Sequence, residues 1–184
     1  MNKVGTKTIE TDRLILRRFT IKDADDMYNN WASDPAVTEF LTWPTHESVD
    51  VTRRLLNDWI ANYAEGDYFN WVLEYKETGA AIGNISVVHL REDIGASEIG
   101  YCMGKAYWGK EIMPEALKAV IDYLFDEADM NRICACHDVN NPKSGRVMDK
   151  AGMKREGTLR AASKNNTGIC DVTYHSIIRS DREK

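Results

Sequence analysis

Apolar residues recur at helical spacing in several parts of the chain. The clearest case is the series Leu117, Val120, Ile121 and Leu124, whose i, i+3, i+4, i+7 spacing predicts a helix with one buried face. A proline at the first turn and a glycine just past the end mark helix limits elsewhere. The sequence predicts helices over residues 23–31, 47–63, 114–128 and 142–151.

Short runs of alternating or continuous apolar residues lie between these helices and predict strands. The predicted strands cover residues 13–18, 69–75, 81–89, 97–103, 132–137, 154–160 and 170–178. The order is therefore one strand, two helices, three strands, helix, strand, helix and two strands. Such an order predicts a mixed α/β (α+β) sheet of about seven strands and excludes a doubly wound nucleotide-binding fold.

The composition is that of an ordinary globular protein. The chain has 184 residues, of which 43% are hydrophobic and 29% charged, and this balance excludes disordered and low-complexity classes. A chain of this length can bury a sufficient core alone, so we expect a single domain over residues 1–184. We find no signal peptide and no apolar run of membrane-spanning length, and therefore expect a cytoplasmic protein with no membrane partner.

Charge is distributed unevenly along the chain. The net charge of −5 argues against direct binding of nucleic acid. Residues 23–67 hold ten acidic residues against two arginines, a net −8, while residues 143–164 hold seven basic residues against two acidic ones, a net +5. Two interpretations stay open at this point: solvated helix faces, or a polyanionic ligand at the basic end and a cationic substrate at the acidic helices.

The segment with the clearest chemical content is residues 98–117, where a strand ends and a loop with Gly104 and Gly109 leads into the amphipathic helix. The free N–H groups and the positive dipole end of a helix start form a phosphate site. Neither a Walker loop nor a G-x-G-x-x-G motif is present in the sequence. The four cysteines contain no CxxC pair and the four histidines fit no metal spacing, so we expect no metal.

Several motifs in order resemble the GNAT acyltransferases and, within them, the Rim-type branch that acetylates protein N-termini. The segments that carry the resemblance are Glu10-Thr-Asp-Arg-Leu-Ile-Leu-Arg-Arg18, Glu98-Ile-Gly-Tyr101, Tyr107-Trp-Gly-Lys110, Glu115-Ala-Leu117, Asn131-Arg132, Asn141-Pro-Lys-Ser-Gly-Arg146 and Lys150-Ala-Gly-Met-Lys-Arg-Glu-Gly157. The resemblance covers about residues 9–178, nearly the whole chain. The resemblance implies a GNAT fold with helices on both faces of the sheet and splayed fourth and fifth strands.

The same resemblance implies which residues contact acetyl-CoA. Its pyrophosphate would be wrapped by the loop of Trp108, Gly109, Lys110, Glu111, Ile112 and Met113. Main-chain groups of Tyr101, Cys102 and Met103 would pair with the pantetheine arm like an added strand. Glu111 stands where the family usually has glycine. We expect its side chain to point away from the ligand, and weakened binding is the alternative.

Catalytic roles also follow from the resemblance. The tyrosine that serves as the acid in many family members is replaced here by Met148. In the Rim-type branch a serine is the proposed proton donor to the leaving thiolate, and it corresponds to Ser144. Asn141, in the same motif, would hold the pantetheine amides. Glu156 matches the proposed base, and Glu98 is its competitor. Without the resemblance, Asn141 and Ser144 would be interpreted as helix-start residues.

The activity implied is an N-acetyltransferase that moves an acetyl group from acetyl-CoA to a primary amine. The favoured acceptor is the N-terminal α-amine of a protein or peptide, as in ribosomal-protein acetylation. A small amine such as a polyamine or aminoglycoside is the first alternative, and a non-catalytic acyl-CoA-binding module is the second. The oligomeric state stays open, a homodimer included.

Overall fold

Eight strands form one continuous sheet in the computed structural model, which describes residues 1–182; residues 183 and 184, the end of the predicted domain, lie outside it. The strands are β1 (Ile9–Glu10), β2 (Leu14–Arg17), β3 (Asn70–Tyr75), β4 (Ala81–Arg91), β5 (Ala96–Met103), β6 (Arg132–Asp138), β7 (Lys154–Asn165) and β8 (Gly168–Ile178). Their order in the sheet is β1-β2-β3-β4-β5-β6-β8-β7, and β5–β6 is the parallel pair. The predicted mixed sheet is confirmed, with the short β1 added to the seven strands expected.

Six α-helices accompany the sheet within residues 1–182. They are α1 (Ala24–Met27), α2 (Pro35–Thr38), α3 (Val49–Asn62), α4 (Ile112–Asp126), α5 (Pro142–Lys150) and α6 (Arg179–Arg182). The predicted helix over residues 23–31 is split, because α1 continues as a π-helix over Tyr28–Ala32. The Ser33 N–H and hydroxyl both donate to the Tyr28 carbonyl, at 3.1 and 2.7 Å, which fixes that wider turn.

Helices cover both faces of the sheet, as expected for the predicted fold. On one face α4 packs over a core that includes Leu14, Trp71, Ile85, Leu117, Leu124 and Ile133. On the other face α1, the π-helix and α3 cover a second core that includes Phe19, Met27, Trp31, Leu56, Val72 and Cys102. Consecutive residues such as Trp71 and Val72 belong to different cores because side chains alternate across a strand.

The parallel pair β5–β6 separates after three residue pairs. Its last paired residues are Glu98 and Cys134, although β5 stays paired with β4 as far as Met103 and β6 with β8 as far as Asp138. A gap therefore opens between the carboxyl-terminal halves of the two strands. This confirms the predicted splay between the fourth and fifth predicted strands.

A hairpin turn reaches across the wide end of this gap. Asn165, at the end of β7, donates from Nδ2 to Oδ2 of Asp138 at 2.7 Å. The next residue, Asn166, donates from Nδ2 to the carbonyl oxygens of Thr38 and Trp43, both at 2.8 Å. We call the segments 38–43 and 165–167 together the strap. The strap links the α2–α3 connection to the end of β6.

The end of β5 is held against the same helical region. A Cβ on Gly104 would lie 2.6 Å from the carbonyl oxygen of Asn30, so the two backbones are in close contact. Asn30 itself donates from Nδ2 to the carbonyl of Ala81 at the start of β4, at 2.7 Å. The gap is thus bordered by β5, the π-helix, the strap and β6. No helix within residues 1–182 combines the length and the apolar character that crossing a membrane requires.

Candidate active site

The loop before α4 is shaped by an arginine from the start of β2. Arg13 donates from Nη1 to the carbonyl of Lys110 at 2.8 Å and from Nη2 to that of Glu111 at 2.9 Å. Its Nε reaches Glu115 Oε2 at 2.6 Å. Burial opposes ionisation of Glu115, but bonds from Thr11 and Arg13 outweigh it and lower the pKa of the carboxyl. The loop carbonyls are therefore turned outward, toward Arg13.

Glu111 adopts a left-handed backbone conformation, with φ +60° and ψ +19°. Its carboxylate is turned to α5, where Oε1 lies 2.5 Å from Nζ of Lys150. The carboxylate is therefore held at α5, and its orientation away from bound acetyl-CoA stays a prediction. Nothing in residues 1–182 accepts a hydrogen bond from the main-chain N–H groups of Gly109, Lys110 or Glu111. Together with the N–H groups of the first turn of α4, which has no side-chain cap, they are free donors of the kind that bind a phosphate.

Two aromatic residues support this loop from the side of the gap. Trp108 donates from Nε1 to the carbonyl of Met103 at 2.7 Å, which ties the loop to the end of β5. The ammonium of Lys143, in the first turn of α5, lies 5.3 Å from the Trp108 ring centroid. Lys110 lies in the same way 5.5 Å over Tyr107. Two cations, Lys110 of the loop and Lys143 of α5, thus pack on the aromatic rings of this segment.

Ser144 and Asn141 stand at the start of α5, on the β6 side of the gap. The hydroxyl of Tyr101, on β5, lies 2.9 Å from both the carbonyl oxygen and Oγ of Ser144. The Asn141 side chain makes no capping bond to α5 and no hydrogen bond to another residue within 1–182. Its amide is thus available to a ligand. The alternative interpretation of Asn141 as a side-chain cap is not supported.

Cys102 faces the second core, away from α4 and α5. It is buried, and its Sγ contacts Oδ1 of Asn84 at 3.0 Å. Burial raises the pKa of the Cys102 thiol to about 12, so it is not a nucleophile at neutral pH. Met103 is also buried, within the first core. For both residues, what remains available to a ligand is the main chain along the gap.

Glu98 lies where the gap opens, on the face opposite Ser144. The thiol of Cys136 lies 3.4 Å from its Oε1. Burial and the charge of Glu98 raise the pKa of both Cys136 and Tyr174 to about 12, so these neighbours stay neutral. The Glu98 carboxylate has no Lys or Arg ion-pair partner within residues 1–182.

Glu156 occupies a different environment, at a β-bulge between Arg155 and Gly157 of β7. Arg132 binds its carboxylate through both guanidinium nitrogens, at 2.8 and 2.5 Å, and Ser176 donates to it at 2.7 Å. Those hydrogen bonds lower the pKa of Glu156 to about 2. A carboxylate so engaged is a weak proton acceptor, which weighs against the predicted base role of Glu156.

Several residues at the site were not among those predicted from the sequence. Arg13 lies within the first-strand motif, but nothing in the sequence indicates its bonds to a loop about a hundred positions away. The hydroxyl of Tyr101 and the side chain of Asn166 were missed for the same reason, since only the fold brings them to the gap. No group of three or more His, Cys, Asp or Glu side chains within residues 1–182 is arranged to hold a metal ion.

Comparison with known proteins places this geometry in a family. The family model described as "Acetyltransferase (GNAT) domain" matches residues 13–154. The chain is 30% identical to "Uncharacterized N-acetyltransferase p20" of Bacillus licheniformis over 95% of this chain and 98% of that protein. It is 28% identical to the ribosomal-protein-serine acetyltransferase of Escherichia coli over 75% of this chain and 76% of that one. A GNAT acetyltransferase crystal structure from Bacillus anthracis superposes with a TM-score of 0.83 at 26% identity, covering 95% of this chain and 99% of that one.

Proposed function

The chain belongs to the GNAT family of acetyl-CoA-dependent N-acetyltransferases, and from that premise we propose that its acceptor is the N-terminal α-amine of a protein or peptide. The observation that carries the proposal is the gap between β5 and β6. The loop of free N–H groups before α4 lies at its entrance. The Ser144 hydroxyl lies on one side, and on the other lies the Glu98 carboxylate, which contacts the Cys136 thiol and has no Lys or Arg ion-pair partner within residues 1–182. These are the groups that direct transfer from a thioester to an amine requires.

Each group then has a role in the reaction. Free N–H groups of the loop before α4 bind the pyrophosphate of acetyl-CoA, and Asn141 with the unpaired edge of β5 holds the pantetheine arm. Glu98 takes a proton from the acceptor amine, directly or through water. Ser144 gives a proton to the sulfur as the C–S bond breaks. We assign the base role to Glu98 and not to Glu156 because Arg132 and Ser176 already occupy the carboxylate of Glu156.

An α-amine suits a site with a carboxylate base. Its ordinary pKa is about 7.7–8.0, so roughly one in ten such amines is neutral at pH 7, against fewer than about one in a thousand lysine side chains. A carboxylate base therefore deprotonates an N-terminal α-amine more readily than a lysine side chain. Similarity to the ribosomal-protein-serine acetyltransferase of Escherichia coli supports the same class of acceptor.

The acidic helices favour one second candidate. Residues 23–67 have a net charge of −8 and include the part of the strap that borders the gap. Such a surface would also attract a small polycation such as a polyamine or aminoglycoside. A peptide amine and a small polycation need the same chemistry, so the acceptor itself must be varied to separate them.

The test is release of free CoA from acetyl-CoA with a panel of acceptors: peptides with different first residues, N-terminally blocked copies of them, spermidine and an aminoglycoside. We expect turnover with free peptide N-termini and none with the blocked copies. Turnover with the small amines alone would replace the acceptor class. A thermal shift by acetyl-CoA without thiol release for any amine would instead indicate a binding module.

The base is tested on the same reaction. Glu98→Gln is expected to lose most of kcat at neutral pH and to recover part of it at higher pH, where more of the amine is neutral. Glu156→Gln, which keeps the size of the side chain and removes the same charge, serves as the matched control and should matter less to kcat. A wild-type pH–rate profile for Glu98→Gln together with a collapse for Glu156→Gln would exchange the two roles.

A further inference from the structure

Two hydroxyl groups meet across the gap on the α5 side. Tyr101 projects from β5 and Ser144 lies in the first turn of α5, so the two belong to opposite walls. The Tyr101 Oη lies 2.9 Å from Ser144 Oγ and 2.9 Å from the Ser144 carbonyl oxygen. One phenol thus has two acceptors on the same residue, at the same distance.

The positions of the protons follow from the chemistry of the three oxygens. A carbonyl oxygen accepts only, so when Tyr101 donates to the Ser144 carbonyl, the Ser144 hydroxyl is free to donate to Tyr101 Oη. When Tyr101 donates to Ser144 Oγ instead, the serine proton must point elsewhere. Rotation about a single C–O bond of the tyrosine therefore switches the direction in which Ser144 offers its proton.

Burial keeps the tyrosine a donor. Packing around the Tyr101 ring raises the pKa of its hydroxyl, so the phenol holds its proton across the neutral range. A hydroxyl that gives up its proton gains negative charge on oxygen, and a hydrogen bond to a charged oxygen is stronger than one to a neutral oxygen. Tyr101 is in contact with the one oxygen where that charge would develop.

We propose that Tyr101 is a positioning residue for Ser144, turning the serine proton toward the leaving sulfur and stabilising the serine oxygen as the proton departs. The inference rests on the proposed role of Ser144. As the amine nitrogen bonds to the acetyl carbon, the C–S bond breaks and its electron pair stays on sulfur. Sulfur takes the Ser144 proton, the serine is reprotonated from water, and the proton lost by the amine leaves to water through Glu98.

The expected signature is a loss of rate that is coupled to Ser144 and depends on the leaving group. Tyr101→Phe should lower kcat roughly 10- to 100-fold, the effect of losing one hydrogen bond to a developing charge, while the KM for acetyl-CoA stays within about twofold. The double variant with Ser144→Ala should be no slower than Ser144→Ala alone. Acetyl-seleno-CoA, whose selenol is the stronger acid, should restore most of the lost rate in each variant.

A remote tyrosine provides the matched control. Tyr123, on α4, is also buried and donates its hydroxyl to the Gly5 carbonyl at 2.7 Å, away from the gap. Tyr123→Phe should lower the melting temperature and leave both kcat and the effect of the selenoester unchanged. Multiplicative losses in the Tyr101/Ser144 double variant, or an undiminished deficit with acetyl-seleno-CoA, would overturn the inference.

Two further outcomes are separable. If Tyr101→Phe does not fold, 3-fluorotyrosine at position 101 keeps the shape and changes the strength of the hydrogen bonds that the hydroxyl makes. Its kcat should differ from that of the unaltered protein when Ser144 is present and not in the Ser144→Ala background, and an unchanged kcat counts against Tyr101. If the unaltered protein releases no CoA with any amine, the proposed function fails. If it turns over normally and Ser144→Ala is slow but Tyr101→Phe is not, only the role of Tyr101 is rejected.

Discussion

At the scale of single residues, Glu111 shows how a side chain unfavourable for an anion site can be accommodated. Its left-handed backbone costs a non-glycine residue about 1–2 kcal/mol, and the exposed ion pair with Lys150 contributes only about 0–1 kcal/mol. We therefore expect Glu111→Gly to leave the melting temperature unchanged or slightly higher. The dissociation constant for acetyl-CoA, measured by calorimetry, should be unchanged or lower, because a negative charge leaves the loop.

Lys150→Met separates the effect of the ion pair from that of the left-handed backbone, since it removes the ion pair and leaves Glu111 in place. This variant should bind acetyl-CoA more weakly, because the Glu111 carboxylate is then unpaired beside the phosphate site. A large loss of affinity in Glu111→Gly would mean that the carboxylate contributes to binding directly.

A second residue-scale prediction concerns acid stability. Glu156 has a folded pKa of about 2 against an ordinary value of 4.5. A depressed pKa contributes stability that is fully present above the unfolded value and is lost as pH falls through the folded one. The difference in unfolding free energy between the wild type and Glu156→Gln should thus be largest near neutral pH and shrink between about pH 4.5 and pH 2. Urea unfolding at a series of pH values measures it, and a difference that grows toward low pH would contradict the ion pair with Arg132.

At the scale of elements, the close packing of α5 against β6 requires a glycine at position 145. A Cβ on Gly145 would lie 2.6 Å from Nε2 of His137. The His137 ring has little freedom to move aside, because its Nδ1 lies 2.8 Å from the Asp138 carbonyl and His175 packs beside it. The glycine next to Ser144 therefore sets the distance between α5 and β6.

Gly145→Ala should accordingly destabilise the protein by about 1–2 kcal/mol, even though helix propensity alone favours alanine by about 1 kcal/mol. Activity should fall as well, since Asn141 and Ser144 move with α5. Gly157→Ala is the control, because a Cβ there meets open space, and it should change neither quantity much. Rescue of Gly145→Ala by a second change, His137→Ala, would identify the clash as the cause.

Most elements could be predicted from the sequence because their own residues determine them. The periodic apolar stripe of α4 and the proline and glycine at the limits of α5 are local signals. The short β1 and α2 were not predicted, since two and four residues are too few for periodicity. The π-helix was missed because its widened turn depends on the bonds from Ser33 and on packing against Gly104.

The site divides in the same way. The loop before α4 was predicted by its glycines and by motif resemblance, which are features of adjacent residues. The Tyr101–Ser144 contact joins positions 43 residues apart, and the ion pair of Glu156 with Arg132 joins positions 24 apart. No local pattern indicates such pairs, so the proposal of Glu98 instead of Glu156 as base rests on contacts that only the fold provides.

At the scale of the whole molecule, the strap is the contact that closes the wide end of the gap. Asn166→Ala would remove two side-chain hydrogen bonds, to Thr38 and Trp43, at a cost of about 1–3 kcal/mol. We expect the KM for the acceptor to rise while the KM for acetyl-CoA changes little, because the strap lies away from the loop before α4. Thr167→Ala, which loses only a bond within the turn, is the control, and equal effects of the two variants would contradict the role of the strap.

The short β5–β6 pairing has a mechanical consequence. The strands β1–β5 and the strands β6–β8 are each joined internally by antiparallel ladders, but the parallel ladder between the two groups ends at Glu98 and Cys134. When a pulling force is applied across the gap, this boundary is the mechanically weakest part of the sheet, and it should separate before the ladders on either side. A ligand that pairs with the open edge of β5 and is also held by Asn141 at the start of α5 connects the two groups, so single-molecule rupture across residues 100 and 136 should require more force when acetyl-CoA is bound.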